Sequence, residues 1–207
     1  RVALVAYRDH GDDFVVRRWD FTRSEREMRQ RLSQLDAGGG GDWPEAVDEA
    51  LEAMLDLDWR TGTAARIAFL VADAPPHANR LTETLDAVRE ARARGLRIYP
   101  LAASGADDSA EHVMRTAAAL TQGRYLFLTD DSGVGNAHAE PHVPCYEVST
   151  VDGLLSRVIE SELAGRRVEA DPRDLVRTVG NPVAGVCEPD AVTQQGRPRR
   201  GGALGYD

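Results

Sequence analysis

The sequence predicts an α/β fold built on a mostly parallel sheet, and three observations carry that prediction. From residue 66 onward, apolar strand-like runs alternate with amphipathic helical stretches, the pattern of parallel strands joined by right-handed helical crossovers. The first apolar run, VALVAY over residues 2–7, has no polar interruption, as expected of a strand covered on both faces. A turn and a second strand-like run follow at once and read as a hairpin, which adds an antiparallel strand at one edge of the sheet.

Taken in order, RDHGDD over 8–13 is turn chemistry, and FVVRRWDF over 14–21 is the second strand. The charges of Arg17 and Arg18 suit an edge, where they discourage edge-to-edge association. Ser24 caps a helix, with Glu27 completing a capping box and Met28, Leu32 and Leu35 forming its apolar stripe. Four glycines, 38–41, end that helix. Asp42 is placed to cap the next one, with Pro44 in the first turn and Ala46, Val47, Ala50, Leu51, Met54 and Leu55 as its apolar face. IAFLVA over 67–72 is a third strand, and 81–94 a helix stopped by Gly95. RIYPLA over 97–102 is a fourth strand, with Pro100 a sign of irregularity. Residues 109–120 form a helix ended by Gly123, and 125–129 a fifth strand. After a Gly/His/Pro loop over 132–144, Leu154, Leu155, Val158, Ile159 and Leu163 mark a last amphipathic helix ending at Gly165. The ordered domain is expected over 1–166. Residues 167–207, rich in Gly, Pro and Arg, are expected as a disordered tail or linker.

Composition narrows the function classes. The 207 residues, 42% apolar and 29% charged, are typical of one globular domain with a tail. A net charge of −9 argues against a nucleic-acid groove, which needs a basic stripe. All basic side chains counted as Lys+Arg are Arg, so a P-loop lysine and a Schiff-base lysine are excluded from this segment. No apolar run approaches the ~18 residues of a membrane span. The chain begins at Arg1 inside an apolar strand, so upstream sequence is expected. Two cysteines, Cys145 and Cys187, are too few for a disulfide framework, although an exported protein could pair them. Export and cytoplasmic residence both stay open.

Ligands of open parallel sheets bind outside the carboxyl ends of the strands, which selects the loops to inspect. The third strand runs straight into Asp73-Ala74-Pro75-Pro76-His77. A charge at the end of a buried strand needs a partner, so Asp73 reads either as a metal carboxylate or as a turn-forming Asp. In the glycine loop, Asp42 sits near a helix N-terminus, either as a ligand or as a plain cap after a flexible linker. A third region holds Asp130, Asp131, His138, Glu140 and His142, with Cys145 nearby. In an extended segment His138, Glu140 and His142 share one face, and with the thiol they offer a zinc-type ligand set. A binding surface fits these residues better than a closed metal site, and no nucleophile or general base has a convincing context. Trp19, Trp43 and Trp59 read as packing anchors, and His10 and His112 as surface residues.

YRDHGDDFVVRRWDFT, GGGGDWPEAVDEAL and FLVADAPPH, in that order and spacing, resemble von Willebrand factor A domains of a bacterial group, over roughly residues 2–166. The resemblance implies a three-layer Rossmann-like fold with a mostly parallel sheet, an antiparallel edge strand, and a divalent-cation site on its carboxyl edge. Family members hold Mg²⁺ through a DxSxS motif after the first strand, a Thr in the second loop and an Asp in the third. Asp73 matches the third-loop Asp, and Asp42 falls where the Thr would be, still offering hard oxygen to Mg²⁺, Ca²⁺ or Mn²⁺. No DxSxS occurs in this sequence, so the resemblance implies that the central first strand and its metal loop are missing. The implied function is a non-enzymatic binding or scaffolding module for a protein partner, metal-assisted in the full-length protein. His77, Asp130, Asp131, His138, Glu140 and His142 are its candidate binding surface. The alternatives are a metal-dependent hydrolase using the 130–142 loop, and an inactive structural fragment.

Overall fold

A computed structural model describes residues 1–36, 38, 43–103, 105–132, 138, 140 and 142–188. Two compact units divide the chain, Arg1–Leu126 and Phe127–Asp207.

The first unit opens with the expected hairpin, β1 (Val2–Tyr7) antiparallel to β2 (Val16–Thr22), in a register running from Val2 opposite Thr22 to Tyr7 opposite Val16. Gly11, at φ 95°, lies in the connecting turn, where only glycine sits without strain. Arg8 and Arg17 both stack on the Phe14 ring, at 4.7 and 4.0 Å, so the charged edge also covers an aromatic face. Helix α1 (Glu25–Leu32) starts as its sequence prescribes, with the Ser24 hydroxyl accepting from the Glu27 amide. Helix α2 (Val47–Leu55) begins five residues after Asp42, and Ala46 stands at its N-cap with no side-chain hydrogen bond. The expected cap is therefore not used by this helix, and Asp42 itself lies outside the described residues.

β3 (Ile67–Ala72) and β4 (Arg97–Ala102) pair in parallel, Ile67 opposite Arg97 and Ala72 opposite Ala102, with α3 (Leu81–Ala93) as the crossover between them. Pro100 stands inside β4 opposite Leu70, without breaking the register. Helix α4 (Asp108–Thr121), capped by Asp107 on the Ala110 amide, leads to the short strand β5 (Leu126–Phe127) at the boundary of the units. The order β3-β4-β5 makes a three-stranded parallel sheet, so the chain is mixed α/β and compatible with a Rossmann-like fold.

The core lies where α2, α3, α4 and β4 meet. Val47, Leu51, Met54, Leu55, Ala87, Val88, Ala91, Leu96, Ile98 and Ala117 are buried together, and Val5, Tyr7, Ala68 and Leu70 pack against them from two different strands. The Thr121 hydroxyl, also buried, accepts from the Ile98 amide and donates to the Ala117 carbonyl, which ties α4 to β4. Trp59 donates from Nε1 to the Met54 carbonyl at 2.8 Å and meets Phe21 edge-on, the anchoring role expected of it.

β1 and β3 do not pair. Among the described residues the backbone of β1 pairs only with β2, and β3 belongs to the sheet with β4, so the two strands lie in separate sheets.

In the second unit, β6 (Tyr146–Ser149) pairs antiparallel with β7 (Leu175–Val179), and β8 (Pro182–Val183) with β9 (Val186–Cys187). Helix α5 (Val151–Ala164) runs from a Thr150 cap to Gly165 at φ 63°. β7, β8 and β9 lie in the stretch read from sequence as tail. The signal was faint because each is a short strand with one exposed face, and the stretch is held by contacts far apart in sequence. Cys145 and Cys187 are joined by a disulfide across 42 positions. No helix among the described residues is long and apolar enough to cross a membrane.

Candidate functional site

In the first unit the carboxyl ends of β1 and β3 gather the polar side chains. β1 ends at Tyr7 and leads directly to Asp9, which is buried. β3 ends at Ala72 and leads to the exposed Asp73, then to the buried Ala74-Pro75-Pro76 segment and to His77. The Glu45 amide donates to the Pro75 carbonyl at 3.0 Å, and Glu45 bridges to Pro76 in parallel sense. This clasp fixes the segment before α2 against the loop after β3.

Two contacts then span from the β1 side to the β3 side. The Tyr7 hydroxyl donates to the Val71 carbonyl at 3.5 Å, the outer limit of a hydrogen bond. His77 Nε2 lies 2.6 Å from Asp9 Oδ1, a short contact between a buried carboxylate and a half-buried ring. Burial alone would raise the Asp9 pKa, but the His77 hydrogen bond and the His10 amide outweigh it and hold the carboxyl below its usual range. Burial pushes the Tyr7 phenol well above its usual range, and the negative charges of Glu45 and Asp73 add to that rise. Both carboxylates therefore bear on the Tyr7 hydroxyl. The exposed His10 ring stands 5.9 Å from His77, so the residue read as plain surface borders this edge.

Behind the edge, Asp48 in the first turn of α2 is fully buried, and its Oδ2 accepts from Arg80 Nε at 2.7 Å. Arg80 also reaches Glu83 at 3.2 Å and Glu49 at 3.7 Å, so one guanidinium is shared among three carboxylates where α2 meets α3.

Of the residues singled out from sequence in this unit, Asp73 and His77 stand on the same loop after β3, and Asp42 lies outside the described residues. Sequence reasoning missed Asp9 and Glu45. Asp9 was within reach of the argument made for Asp73, because an acid two residues past a continuous apolar strand needs a partner in the same way. Reading RDHGDD only as turn chemistry hid it.

The second unit has its own polar cluster. Arg177 on β7 donates to Asp131 at 2.9 Å and to Glu140 at 2.8 Å, and the Tyr146 hydroxyl also donates to Glu140. Thr129 donates to Asp131 at 3.0 Å, and these bonds lower the Asp131 pKa, Arg177 most of all. The His138 amide donates to Asp130 at 2.8 Å, and the His138 side chain is nearly buried. The thiol counted toward a zinc-type set is the disulfide partner of Cys187, so it offers no thiolate. The Glu140 carboxylate accepts from both Arg177 and Tyr146. Among the described residues, no group of three or more His, Cys, Asp or Glu side chains is arranged to hold a metal ion. Comparison of the sequence with protein-family models and with curated proteins finds no match.

Proposed function

We propose that this chain is a non-enzymatic binding module of the von Willebrand factor A type, whose partner-facing surface is the carboxyl edge of β1 and β3. The observation that supports this reading is the Asp9–His77 pair, which joins the loop after β1 to the loop that carries the exposed Asp73, at the strand ends where open α/β sheets take their ligands. The edge is acidic, largely preformed, and built from loops clasped to one another by backbone bonds. It suits a partner that brings a cation or a basic group.

The divalent cation is the finer part of the proposal. Asp73 and Glu45 offer hard oxygen, but two carboxylates fall short of the near-octahedral shell that Mg²⁺ demands. The residues described at this edge would supply part of a shell, with water and a partner's carboxylate as the remaining donors, so the affinity of the chain alone is expected to be weak. The test is thermal unfolding in EDTA and in ~10 mM Mg²⁺ or Mn²⁺. A site with a Kd of about 1 mM adds about 1.4 kcal/mol at that concentration, a rise of about 3 °C. Asp73→Ala should abolish the rise. Equal curves in EDTA and in metal, for both wild type and Asp73→Ala, would refute the cation-assisted reading.

A further inference from the structure

The β8–β9 hairpin of the second unit is folded with little of what normally holds a hairpin. Its strands are two residues each, and among the described residues they pair only with one another. A ladder this short is marginal in water on its own. Val183 and Val186 are 45% and 51% exposed, so apolar burial compensates little. The turn between them is Ala184-Gly185, with both residues at positive φ, 50° and 84°. Glycine takes that conformation freely. Ala184 takes it at a cost, in a place where asparagine is the favoured residue.

The hairpin is nevertheless docked, and three contacts dock it. Cys187 is bonded to Cys145, which directly precedes β6. Gly180 lies so close to that point that an added Cβ would fall 2.4 Å from the Pro144 carbonyl oxygen and 2.8 Å from the Cys145 Cβ. Gly185 lies against the Arg167 guanidinium, which also pairs with Glu169 at 2.8 Å. Two of the three are contacts of bare glycines, with no side chain to interlock, so the covalent one carries the attachment. The rest of the unit does not depend on the bridge in the same way. β6 and β7 are paired from Tyr146 opposite Val179 to Ser149 opposite Leu175, and α5 starts from its own Thr150 cap.

The bond also suits an element that opens and closes. Neither cysteine is buried, so an attacking thiolate can reach the sulfurs. The sequence has two cysteines in all, so reclosure has one intramolecular product and no wrong pairing to compete with it.

We propose that the Cys145–Cys187 bond is a redox latch on the β8–β9 hairpin. Closed, it holds the hairpin at the start of β6. Opened by a dithiol reductant, it lets the hairpin unfold while α5 and the β6–β7 ladder remain. In the opening step a thiolate of the reductant attacks one sulfur of the bridge, and the other sulfur leaves as a thiolate that takes up a proton. The reductant's second thiolate then attacks the mixed disulfide, closes the reductant's own S–S bond and releases the second cysteine. Two electrons pass from the reductant to the bridge. No residue of the carboxyl edge takes part, so the latch stands apart from the cation reading.

Hydrogen exchange of the whole chain tests it, oxidised and after dithiothreitol treatment without denaturant. The expected result is that the Val186 and Glu188 amides exchange at least ~10-fold faster once the bond opens, a larger change than at Tyr146–Ser149. Trp19, Trp43 and Trp59 all lie in the first unit, so tryptophan emission should not move. Reoxidation with oxidised glutathione should restore the protection in the monomer. Ala184→Asn, which relieves the turn, should return much of the lost protection to the reduced chain. A bond that yields only in denaturant overturns the proposal, as do Val186 and Glu188 amides indifferent to reduction. Equal loss of protection in β6, β7 and the hairpin, or a shift in tryptophan emission, would make the bond a staple of the whole fold and overturn it too. So would reoxidation to linked dimers, or a reduced Ala184→Asn chain no better protected than reduced wild type.

Discussion

His77 Nε2 stands 2.6 Å from Asp9 Oδ1, and this contact joins the turn after β1 to the turn after β3 although the two strands share no backbone hydrogen bond. The pair does at the carboxyl edge what a continuous sheet would otherwise do. It holds two edges at a set distance, and it does so with a buried charge whose partner sits 68 positions away.

The Asp9 carboxyl is held below its ordinary range, so its contribution to stability is fully present above the unfolded pKa of about 3.9 and is lost as pH falls through the folded value. Unfolding free energy of the wild type should therefore decline with acid below about pH 4. Asp9→Asn should flatten that decline. His77→Ala, at neutral pH, should cost about 1.5–3 kcal/mol, the range for a hydrogen bond to a charged group. Urea melts across pH 2.5–7 check both, and an unchanged acid limb in Asp9→Asn would show that the pair does not carry the effect.

Arg80 is the counter-charge of a carboxylate with no exposed surface, Asp48. Arg80→Ala strands that charge at the junction of α2 and α3, and the melting temperature should drop by on the order of 5 °C or more. The double variant Arg80→Ala with Asp48→Ala should recover part of the loss, because it removes the buried charge together with its partner. Circular-dichroism melts of the three variants decide it. A double variant no better than Arg80→Ala would mean that packing, not charge, sets the cost.

Gly123 packs where a side chain has no room. A Cβ at this position would collide with the Ile98 carbonyl oxygen of β4, which is backbone and has little freedom to move. Gly123→Ala should therefore destabilise the first unit by about 1–3 kcal/mol, the usual cost of overpacking. Gly62, whose added Cβ would meet nothing, differs in that its φ of 77° is the sole penalty. Chemical denaturation of Gly123→Ala should show a lower midpoint with an unchanged slope.

The Cys145–Cys187 bridge closes a long loop in the second unit. In the chain-entropy account a loop of this length is worth about 4 kcal/mol, so reduction should loosen β6, β7 and β9 well before the first unit responds. Intact mass without reductant should be about 2 Da below the reduced mass, and exchange at Tyr146–Ser149 should quicken after reduction. A disulfide of this kind persists in oxidising compartments, so purification from an oxidising host should preserve it. Exchange in the second unit that is indifferent to reductant would remove the bridge from its stability.

Much of this architecture was readable from local pattern. VALVAY and IAFLVA declare themselves strands because each run is apolar and short, and the Ser24, Asp107 and Thr150 caps mark helix starts that need no tertiary contact to specify. The position of Asp73 was readable too, since it directly follows the apolar run that forms β3. Less visible were β7, β8 and β9, whose pairing partners lie far away in sequence and whose single buried faces leave only weak alternation. The hydrogen bonding of Glu140 had no sequence signal. Its carboxylate is taken by Arg177, 37 positions on, and by Tyr146, and neither spacing belongs to any local motif.

The sequence by itself determined strands β1 to β4 and helices α1 to α5, the hairpin at the start, the parallel β3-β4 crossover, and the acidic character of the strand ends. Hydrophobic period and capping are properties of ten or so neighbouring residues, and they act before the chain has folded. Tertiary structure alone decided which charges are matched. Asp9 with His77, Asp48 with Arg80 and Asp131 with Arg177 are each separated by more than thirty positions, and each pairing is set by which elements pack together. It also decided that the Tyr7 hydroxyl meets the Val71 carbonyl, a contact across 64 positions that no local pattern announces.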